Sequence, residues 1–219
     1  MRNFDFSAPL YDLGLWFLML PFGGEENLRK AVIEAAMPLK GLSVLELCAG
    51  TASLSFMAAK EGAKVTALDV SSGMLRVARE KAGRLGLSTR LVRGDVLRLP
   101  FPDNAFDMAI VSLGLHEVEQ TGVPLILREV HRVLKTGSRF VIFDFHKAAG
   151  WAGFLQSLFF TFGEGETGRT WLKTDVQTLL REAGFKDFRR SFMLKGAAQL
   201  ISVSKAQKAS LQEIRRGER

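Results

Sequence analysis

The sequence contains few of the residues that build covalent cross-links, metal clusters or membrane spans. Cys48 is the single cysteine, so no disulfide can form within the chain, and this fits a reducing compartment. The apolar stretch at residues 13–22 is too short to span a bilayer, and no small-residue cleavage site follows it. We therefore expect a cytoplasmic protein, and we predict no metal site.

Basic residues are in excess, but they are not concentrated in one place. The 219 residues include 30 Lys and Arg against 23 Asp and Glu, a net charge of +7. Only small clusters occur, such as Arg189 with Arg190 and Arg215 with Arg216, and no basic stripe is interleaved with aromatic residues. Nucleic-acid binding is therefore not expected. The excess charge fits either ordinary solubility or attraction to an anionic membrane surface.

Short apolar runs alternate with helical patterns from residue 44 onward, and 47% of the residues are hydrophobic, which is typical of a globular domain. The apolar runs predict strands at residues 44–47, 64–70, 90–92, 106–113 and 139–145. The helical patterns predict helices at residues 52–60, 72–85, 124–134 and 173–183, the third of them ended by Gly137. Two further runs, 185–194 and 197–205, flank Lys195 and Gly196 and predict a hairpin.

This alternation predicts an α/β fold of the Rossmann-like, doubly wound kind. The sheet is expected to have seven strands, mostly parallel, with helices on both faces and a C-terminal antiparallel β-hairpin. We divide the chain into an N-terminal helical lid or cap (1–40), the sheet-forming domain (41–205) and a charged tail (206–219). Within the domain, residues 146–172 are expected to form an insertion on the substrate side.

The segment LELCAGTASLS, residues 45–55, joins the first predicted strand to the first predicted helix. Ligands of open parallel sheets bind beyond the carboxyl ends of the strands, which is where this segment lies. Residues 48–53 are all small, so a ligand could approach the backbone closely. Gly50 is the one residue among them that adopts a positive φ freely. We interpret the segment as a nucleotide-binding loop in which one glycine suffices.

Two acidic residues lie at or just after the ends of the next two predicted strands. Asp69 lies 19 positions after Gly50 (69 − 50), and an acid at such a position accepts hydrogen bonds from both hydroxyls of an adenosine ribose. The alternative is that Asp69 caps the helix starting near Ser72. Asp95 could accept from the adenine amino group while the Val96 backbone amide contacts the ring; the alternative for Asp95 is a turn-forming role.

Six segments in chain order resemble the successive motifs of class I S-adenosylmethionine-dependent methyltransferases. They are VLELCAGT (44–51), ALDVSSGM (67–74), RGDV (93–96), LPFPDNAFD (99–107), REVHRVLKTGS (128–138) and LREAGF (180–185). The family's loop usually has three glycines, and Cys48 and Ala52 stand here in place of the first and the third. Because the middle glycine is kept and both replacements are small, the loop is still predicted to bind S-adenosylmethionine and to release S-adenosylhomocysteine.

The resemblance also implies roles for individual residues. Glu46 is expected to orient the loop and the methionine ammonium, and Asp69 to hold the ribose. Val70 and Met74 are expected to lie against the adenine, and the alternative for Met74 is ordinary core packing. The full predicted cofactor set is Glu46, Cys48, Ala49, Gly50, Thr51, Asp69, Val70, Met74, Asp95 and Val96.

Three residues are candidates for general base or acceptor contact. His116 follows the fourth predicted strand, His146 follows the fifth after Asp144, and Tyr11 is the only tyrosine. A base matters most when the acceptor is a hydroxyl or a carbon acid. His131 lies within a predicted helix and is expected to be structural.

Two apolar segments, 11–22 and 151–162, are predicted to cover the acceptor. The second carries a stripe at helical spacing that indicates a pocket wall, a transient membrane contact or, alternatively, ordinary core packing. The stripe consists of Trp151, Phe154, Leu155, Leu158, Phe159 and Phe162. The N-terminal segment resembles quinone C-methyltransferases and bacterial phospholipid N-methyltransferases.

We therefore predict a methyltransferase that acts on a small, apolar acceptor, either a quinone-like ring or a lipid headgroup. Two alternatives stay open at this point. The first is a vestigial methyltransferase-like domain that binds S-adenosylmethionine and acts by interaction. The second is an NAD-dependent dehydrogenase, although the loop of that class has three glycines.

Overall fold

The computed structural model describes residues 24–150, 153, 156 and 165–206. Seven strands form one sheet in the order β3-β2-β1-β4-β5-β7-β6. Their bounds are β1 (Ser43–Leu47), β2 (Lys64–Asp69), β3 (Arg90–Arg93), β4 (Phe106–Ser112), β5 (Leu134–Phe145), β6 (Phe185–Met193) and β7 (Ala198–Lys205).

Strands β1 to β5 run parallel, whereas β7 runs antiparallel to both of its neighbours. The predicted mostly parallel sheet with a closing hairpin is therefore confirmed. The chain leaves β1 in one direction to build β2 and β3, and in the other to build β4 and β5. The crevice at the carboxyl ends of β1 and β4 is consequently the switch point where such sheets bind ligands.

Six helices cover the sheet in the described part of the chain. Their bounds are α1 (Glu25–Ala36), α2 (Ser53–Lys60), α3 (Ser72–Leu85), α4 (Val123–Val133), α5 (Gly165–Trp171) and α6 (Val176–Glu182).

Successive residues of β4 supply the cores on opposite faces of the sheet. Met108 and Ile110 pack with the buried residues of α1 and α2 on one face. Ala109 and Val111 pack with those of α4 and α6 on the other. Burial on both faces explains why the strands appear in the sequence as continuous apolar runs rather than as alternating patterns.

One predicted boundary is wrong. Helix α4 ends at Val133 and β5 begins immediately at Leu134, so Gly137 lies inside the strand and does not end the helix. Leu134 is buried and pairs with Phe106, and Gly137 has a φ of 78° near the point where the β4–β5 register shifts. This pairing is a long-range contact, which local helix-end patterns do not encode.

The last helix is also shorter than predicted. It begins at Val176 rather than at residue 173, because Asp175 is its N-cap and accepts a hydrogen bond from the Thr178 amide at 3.2 Å. The hairpin prediction is confirmed, with a tight turn at Leu194–Gly196 between β6 and β7.

Much of the predicted lid lies outside the described residues. This applies to residues 11–22 and to the apolar stripe of residues 151–162, of which only Gly153 and Gln156 are described. Gln156 is buried and bonded to the backbone near the end of β5: its Oε1 accepts from Ala148 N at 3.0 Å and its Nε2 donates to His146 O at 2.7 Å. In the described ranges, no helix is long and apolar enough to cross a membrane.

Candidate cofactor and active site

The loop between β1 and α2 passes through three residues with left-handed backbone conformations. The φ angle is 52° at Cys48, 53° at Gly50 and 60° at Ala52. The interpretation that one glycine suffices is therefore incomplete, because Cys48 and Ala52 adopt the same region despite their side chains. Each such residue costs roughly 1 kcal/mol or more relative to glycine. The loop thus keeps the path that glycines would allow, with some backbone strain.

Gly114, just after β4, makes room for the Cys48 side chain. A Cβ atom at position 114 would lie 2.6 Å from Cys48 Cβ and 2.9 Å from its Sγ. Burial, and then the negative charges of Asp69 and Asp144, raise the pKa of the Cys48 thiol well above its ordinary value. The thiol therefore stays protonated at neutral pH, and Cys48 links two strand-end loops by packing.

Asp69 joins the end of β2 to the loop. Its Oδ2 accepts from Gly50 N at 2.7 Å, and its Oδ1 accepts from Ser71 N at 2.9 Å. The N-cap of α3 is Ser71, whose Oγ accepts from Met74 N at 3.1 Å, so Asp69 is not the capping residue. A carboxylate offers about four acceptor positions, which is the chemistry that recognition of two ribose hydroxyls requires.

Glu46 is buried within β1, directly before the loop. The Ser55 hydroxyl donates a hydrogen bond to its Oε2. Burial raises the pKa of Glu46 to about 7, although the Ser55 hydrogen bond and the positive charge of Arg29 act in the opposite direction. Glu46 therefore titrates near neutrality, which makes it responsive to a neighbouring positive charge.

Lys81 of α3 donates hydrogen bonds to two side chains at the end of the same loop. Its Nζ donates to Thr51 Oγ1 and to Ser53 Oγ, both at 2.9 Å. Ala49, the other loop residue in the predicted set, donates its amide to Leu68 O at 3.0 Å. The loop is thus tied to β2 and to α3 as well as to Asp69.

Comparison with known proteins identifies the family to which a chain with this loop and these acidic residues belongs. Residues 44–137 match a family model described as a methyltransferase domain. An uncharacterized methyltransferase of Synechocystis sp. is 32% identical over 205 residues, which cover 92% of this chain and 94% of that protein. The chain belongs to the class I S-adenosylmethionine-dependent methyltransferases.

Two further proteins resemble this methyltransferase. The demethylmenaquinone methyltransferase of Thermobifida fusca is 41% identical over 145 residues, covering 65% of this chain and 59% of that protein. The phosphoethanolamine N-methyltransferase 2 of Haemonchus contortus, solved with phosphomonomethylethanolamine and S-adenosylhomocysteine, superposes with a TM-score of 0.74 at 17% identity. That superposition covers 94% of this chain and 61% of the other, and it supports the fold.

S-adenosylmethionine is the cofactor of this methyltransferase, and the loop fits it. A Cβ added at Gly50 would meet nothing within 4 Å, so open space lies against the backbone at the sharpest part of the loop. The dehydrogenase alternative does not fit the sheet, because β7 runs antiparallel between β5 and β6. The dinucleotide-binding fold has the strand order 3-2-1-4-5-6 instead.

The residues predicted to face the adenine lie in the segments that follow β2 and β3. Asp95 is exposed, and its Oδ1 accepts from Leu97 N at 2.9 Å, so it does form the turn given as its alternative role. Its second carboxylate oxygen leaves room for an adenine contact as well. Val96 and Met74 are buried, and Val70 is half-buried at the start of the turn into α3.

His116 lies buried in a turn that follows β4, between two acids. Its Nδ1 is 2.7 Å from Asp144 Oδ1, and its Nε2 is 3.6 Å from Glu117 Oε1. Burial alone would lower the pKa of His116, but the charges and hydrogen bonds of Asp144 and Glu117 together outweigh it and raise the pKa to about 10. An imidazolium cannot accept a proton at neutral pH, so this geometry suits positioning of the β4 and β5 ends better than base catalysis.

The other two catalytic candidates are placed differently. His146 is half-buried after β5, with Nδ1 3.0 Å from Gly196 O and its ring 4.6 Å from the Phe192 ring. Since a carbonyl accepts, Nδ1 carries the proton and Nε2 holds the lone pair in the neutral ring. Tyr11 lies outside the described residues. His131, expected to be structural, packs edge-on against Phe185 at 5.2 Å.

Sequence reasoning missed Lys81 and Gly114. Lys81 lies on a helix face that periodicity assigns to solvent, and its loop contacts arise because the side chain reaches across from α3. Gly114 had a local signal, a glycine in the segment that follows a buried strand, but its packing partner lies 66 positions earlier (114 − 48).

Proposed function

We propose that this methyltransferase transfers the methyl group of S-adenosylmethionine to a small acceptor with a quinone-like ring. The observation that carries the proposal is the 41% identity with a demethylmenaquinone methyltransferase over 145 residues. The chain spans about three fifths of the length of that relative, as the 59% coverage shows. The acceptor is therefore assigned by similarity over the shared segment.

The cofactor supplies a methyl group that its sulfonium already activates, so the protein's main task is positioning. We assign Asp69 to the ribose hydroxyls, because its carboxylate lies at the end of β2 and is already held by two backbone amides. Glu46 lies beside the loop and is assigned to the methionine ammonium. Asp95 and Val96 are assigned to the adenine edge.

Of the candidate bases, we assign proton removal to His146. Its Nε2 carries a lone pair when Nδ1 donates to Gly196 O, and the residue directly follows β5 at the carboxyl edge of the sheet. Proton removal from a ring hydroxyl would raise the electron density of the ring and make its carbon or oxygen a better nucleophile. Tyr11 remains a predicted contact.

The test is label transfer from radiolabelled S-adenosylmethionine to matched acceptors. Reduced quinone-like rings are compared with phosphoethanolamine, a soluble lipid headgroup. We expect label in the ring compounds, and none in phosphoethanolamine. Label in phosphoethanolamine alone contradicts the ring proposal. It would instead support a lipid headgroup as the acceptor.

Calorimetry with S-adenosylmethionine and with NAD accompanies the assay. Tight binding of S-adenosylmethionine with no transfer to any acceptor, even from whole-cell extracts, would favour the vestigial, interaction-only alternative. Binding of NAD in preference to S-adenosylmethionine would contradict the cofactor assignment.

A further inference from the structure

The two halves of the cofactor loop are held by different parts of the next strand and helix. The first half is bonded to the end of β2, where Asp69 Oδ2 accepts from Gly50 N at 2.7 Å. The second half is bonded to α3, where Lys81 Nζ donates to Thr51 Oγ1 and to Ser53 Oγ. Both anchors therefore come from the segment that runs from the end of β2 through α3.

Lys81 contacts the residues on either side of Ala52. Both of its hydrogen bonds are 2.9 Å long, and the two hydroxyl oxygens that accept them lie 3.4 Å apart. Thr51 and Ala52 are buried, so this contact lies against the packed side of the loop. The two hydrogen bonds thus restrain the backbone between positions 51 and 53.

Ala52 is the residue at which this restraint matters. Its φ of 60° and ψ of 25° are left-handed, a conformation that costs free energy in an alanine and that a glycine adopts readily. Ala52 is also the N-cap of α2, and its side chain makes no capping hydrogen bond. Contacts from other residues must therefore hold the backbone at this position, and the hydrogen bonds of Lys81 act on both sides of it.

The stability of α2 does not explain a lysine at this place. Thr51 and Ser53 lie at the N-terminal end of α2, where the positive partial charge of the helix disfavours a nearby cation. The Lys81 ammonium lies there despite this repulsion, and it bonds to hydroxyls at the end of the loop. The arrangement suits a residue that fixes the path of the loop better than one that stabilises the helix.

We propose that Lys81 is a positioning residue for S-adenosylmethionine, because it holds Ala52 in the left-handed conformation that the family's third glycine would adopt freely. The inference rests on the assignment of this loop to the cofactor. The apparent affinity of a ligand falls with the fraction of protein in the binding-competent conformation, so the loss of Lys81 should weaken cofactor binding. The need for Lys81 should disappear when position 52 is itself a glycine.

The experiment measures cofactor affinity by calorimetry in the unmodified protein, Lys81→Met, Ala52→Gly and the double variant. Methionine keeps most of the apolar stem of lysine and has no donor, so Lys81→Met removes the two hydrogen bonds. Arg79→Met is the matched control, because it removes the same charge from an exposed position on α3. Melting temperatures verify that each variant folds.

Each protein is titrated with S-adenosylmethionine and, separately, with S-adenosylhomocysteine. The first ligand carries a sulfonium charge and the second does not, so an effect of the Lys81 charge on the ligand would differ between them. An effect of the loop conformation would be the same for both. The pair of ligands thus separates positioning from simple electrostatics.

We expect Lys81→Met to weaken both ligands by about fivefold, which corresponds to the cost of one left-handed alanine. Arg79→Met should leave both affinities unchanged. In the Ala52→Gly background, Lys81→Met should weaken binding by less than about twofold. Thr51→Val, which removes one acceptor, replaces Lys81→Met with the same expected rescue if that variant does not fold.

Four results would overturn the positioning role of Lys81. They are unchanged affinity in Lys81→Met, equal losses with alanine and with glycine at position 52, different losses for the two ligands, and an equal loss in Arg79→Met. Each would mean that Lys81 does not act through the conformation of Ala52.

Asp69→Ala separates this inference from the assignment of the loop to the cofactor. Weaker binding in Asp69→Ala, with unchanged binding in Lys81→Met, rejects the positioning role alone. Unchanged binding in both variants rejects the assignment of the loop, and the positioning role with it.

Discussion

At the scale of single residues, the loop between β1 and α2 shows how a binding loop tolerates the loss of glycine. Cys48 and Ala52 keep the left-handed backbone that glycine adopts without strain. The added Cys48 side chain is accommodated because Gly114, on the neighbouring strand end, has none. At this contact the residue without a side chain is Gly114, and the residue at position 48 carries one.

This complementarity predicts the outcome of a double-mutant cycle. Gly114→Ala should destabilise the protein by about 1–3 kcal/mol, because the new Cβ overlaps Cys48 Cβ and Sγ. In a Cys48→Gly background the same change should cost much less, because the overlapping atoms are absent. Denaturant unfolding of the four proteins measures the coupling, and additive effects would show that the two residues do not interact.

Asp69 carries the second residue-scale prediction. Asp69→Ala should weaken S-adenosylmethionine binding by about 1.5–3 kcal/mol, as expected for hydrogen bonds that involve a charged group. Ser71→Ala is the matched control, since it removes the cap of α3 and should lower stability by about 1 kcal/mol with little change in cofactor affinity. Calorimetric titration measures the S-adenosylmethionine affinity of both variants. Equal losses of affinity in the two variants would mean that Asp69 acts only through the start of α3.

At the scale of secondary-structure elements, hydrogen bonds join the end of β5 to the segments around it. Asp144 at this end accepts from Leu115 N at 2.9 Å and from the His116 ring, which ties the turn after β4 to β5. A few residues later, His146 N donates to Ala197 O at 2.9 Å. The ends of β4 and β5 and the start of β7 thus form one hydrogen-bonded edge.

Gln156 extends this edge, and its removal should loosen it. Gln156→Leu leaves Ala148 N and His146 O without their side-chain partner, at a cost of about 2–4 kcal/mol in the free energy of unfolding. Gln177→Leu, an exposed position on α6, should change stability by no more than about 0.5 kcal/mol. Hydrogen exchange should locate the effect at residues 146–148. Unchanged protection there would argue that Gln156 does not anchor its segment.

At the scale of the whole molecule, ionisable groups are buried along the carboxyl edge of the sheet. Glu46, Asp69, His116 and Asp144 are all less than 9% exposed. Glu46 has a pKa of about 7 and His116 one of about 10, both raised from ordinary values of 4.5 and 6.5. Each group holds its proton more tightly when folded, so both favour the folded state at lower pH.

Glu46 therefore predicts a pH dependence of stability. Between about pH 4.5 and 7 the folded state retains a proton that the unfolded state loses, so stability should fall by about 3 kcal/mol as pH rises through this window. Glu46→Gln mimics the protonated acid, so it should remove the decline and be more stable than the unmodified protein at pH 7.5. Glu34→Gln, at an exposed position, is the control. A decline that persists in Glu46→Gln would assign it to other groups.

The same ionisation should couple to the cofactor. The methionine ammonium favours the ionised carboxylate, so S-adenosylmethionine affinity should rise by up to about tenfold per pH unit below pH 7 and then level off. In Glu46→Gln the affinity should be lower, and this dependence should be lost. Calorimetry in buffers of different ionisation enthalpy would detect proton release on binding. Its absence would place the ammonium away from Glu46.

The order of elements was predictable from local pattern, and the cofactor from the motifs that resemble the family. Short apolar runs separated by helical periodicity encode strands that are buried on both faces, and the acids Glu46, Asp69 and Asp95 lie at or near the ends of β1, β2 and β3. The start of β5 was mispredicted at residue 139, because the strand begins at Leu134 through its pairing with Phe106. Helix and strand propensities depend on residues that are close in the chain, whereas strand pairing joins residues that are far apart in it.

The sequence by itself determined the family, the cofactor and the acids at the strand ends, because these depend on residue type at nearly fixed spacing. The tertiary structure alone decided how those residues are used. It brought Gly114 against Cys48, and it placed His116 between Asp144 and Glu117. Such contacts join positions that are far apart in the chain. The protonation state of a histidine depends on the charges around it and on its exposure to water, and both are set only after folding.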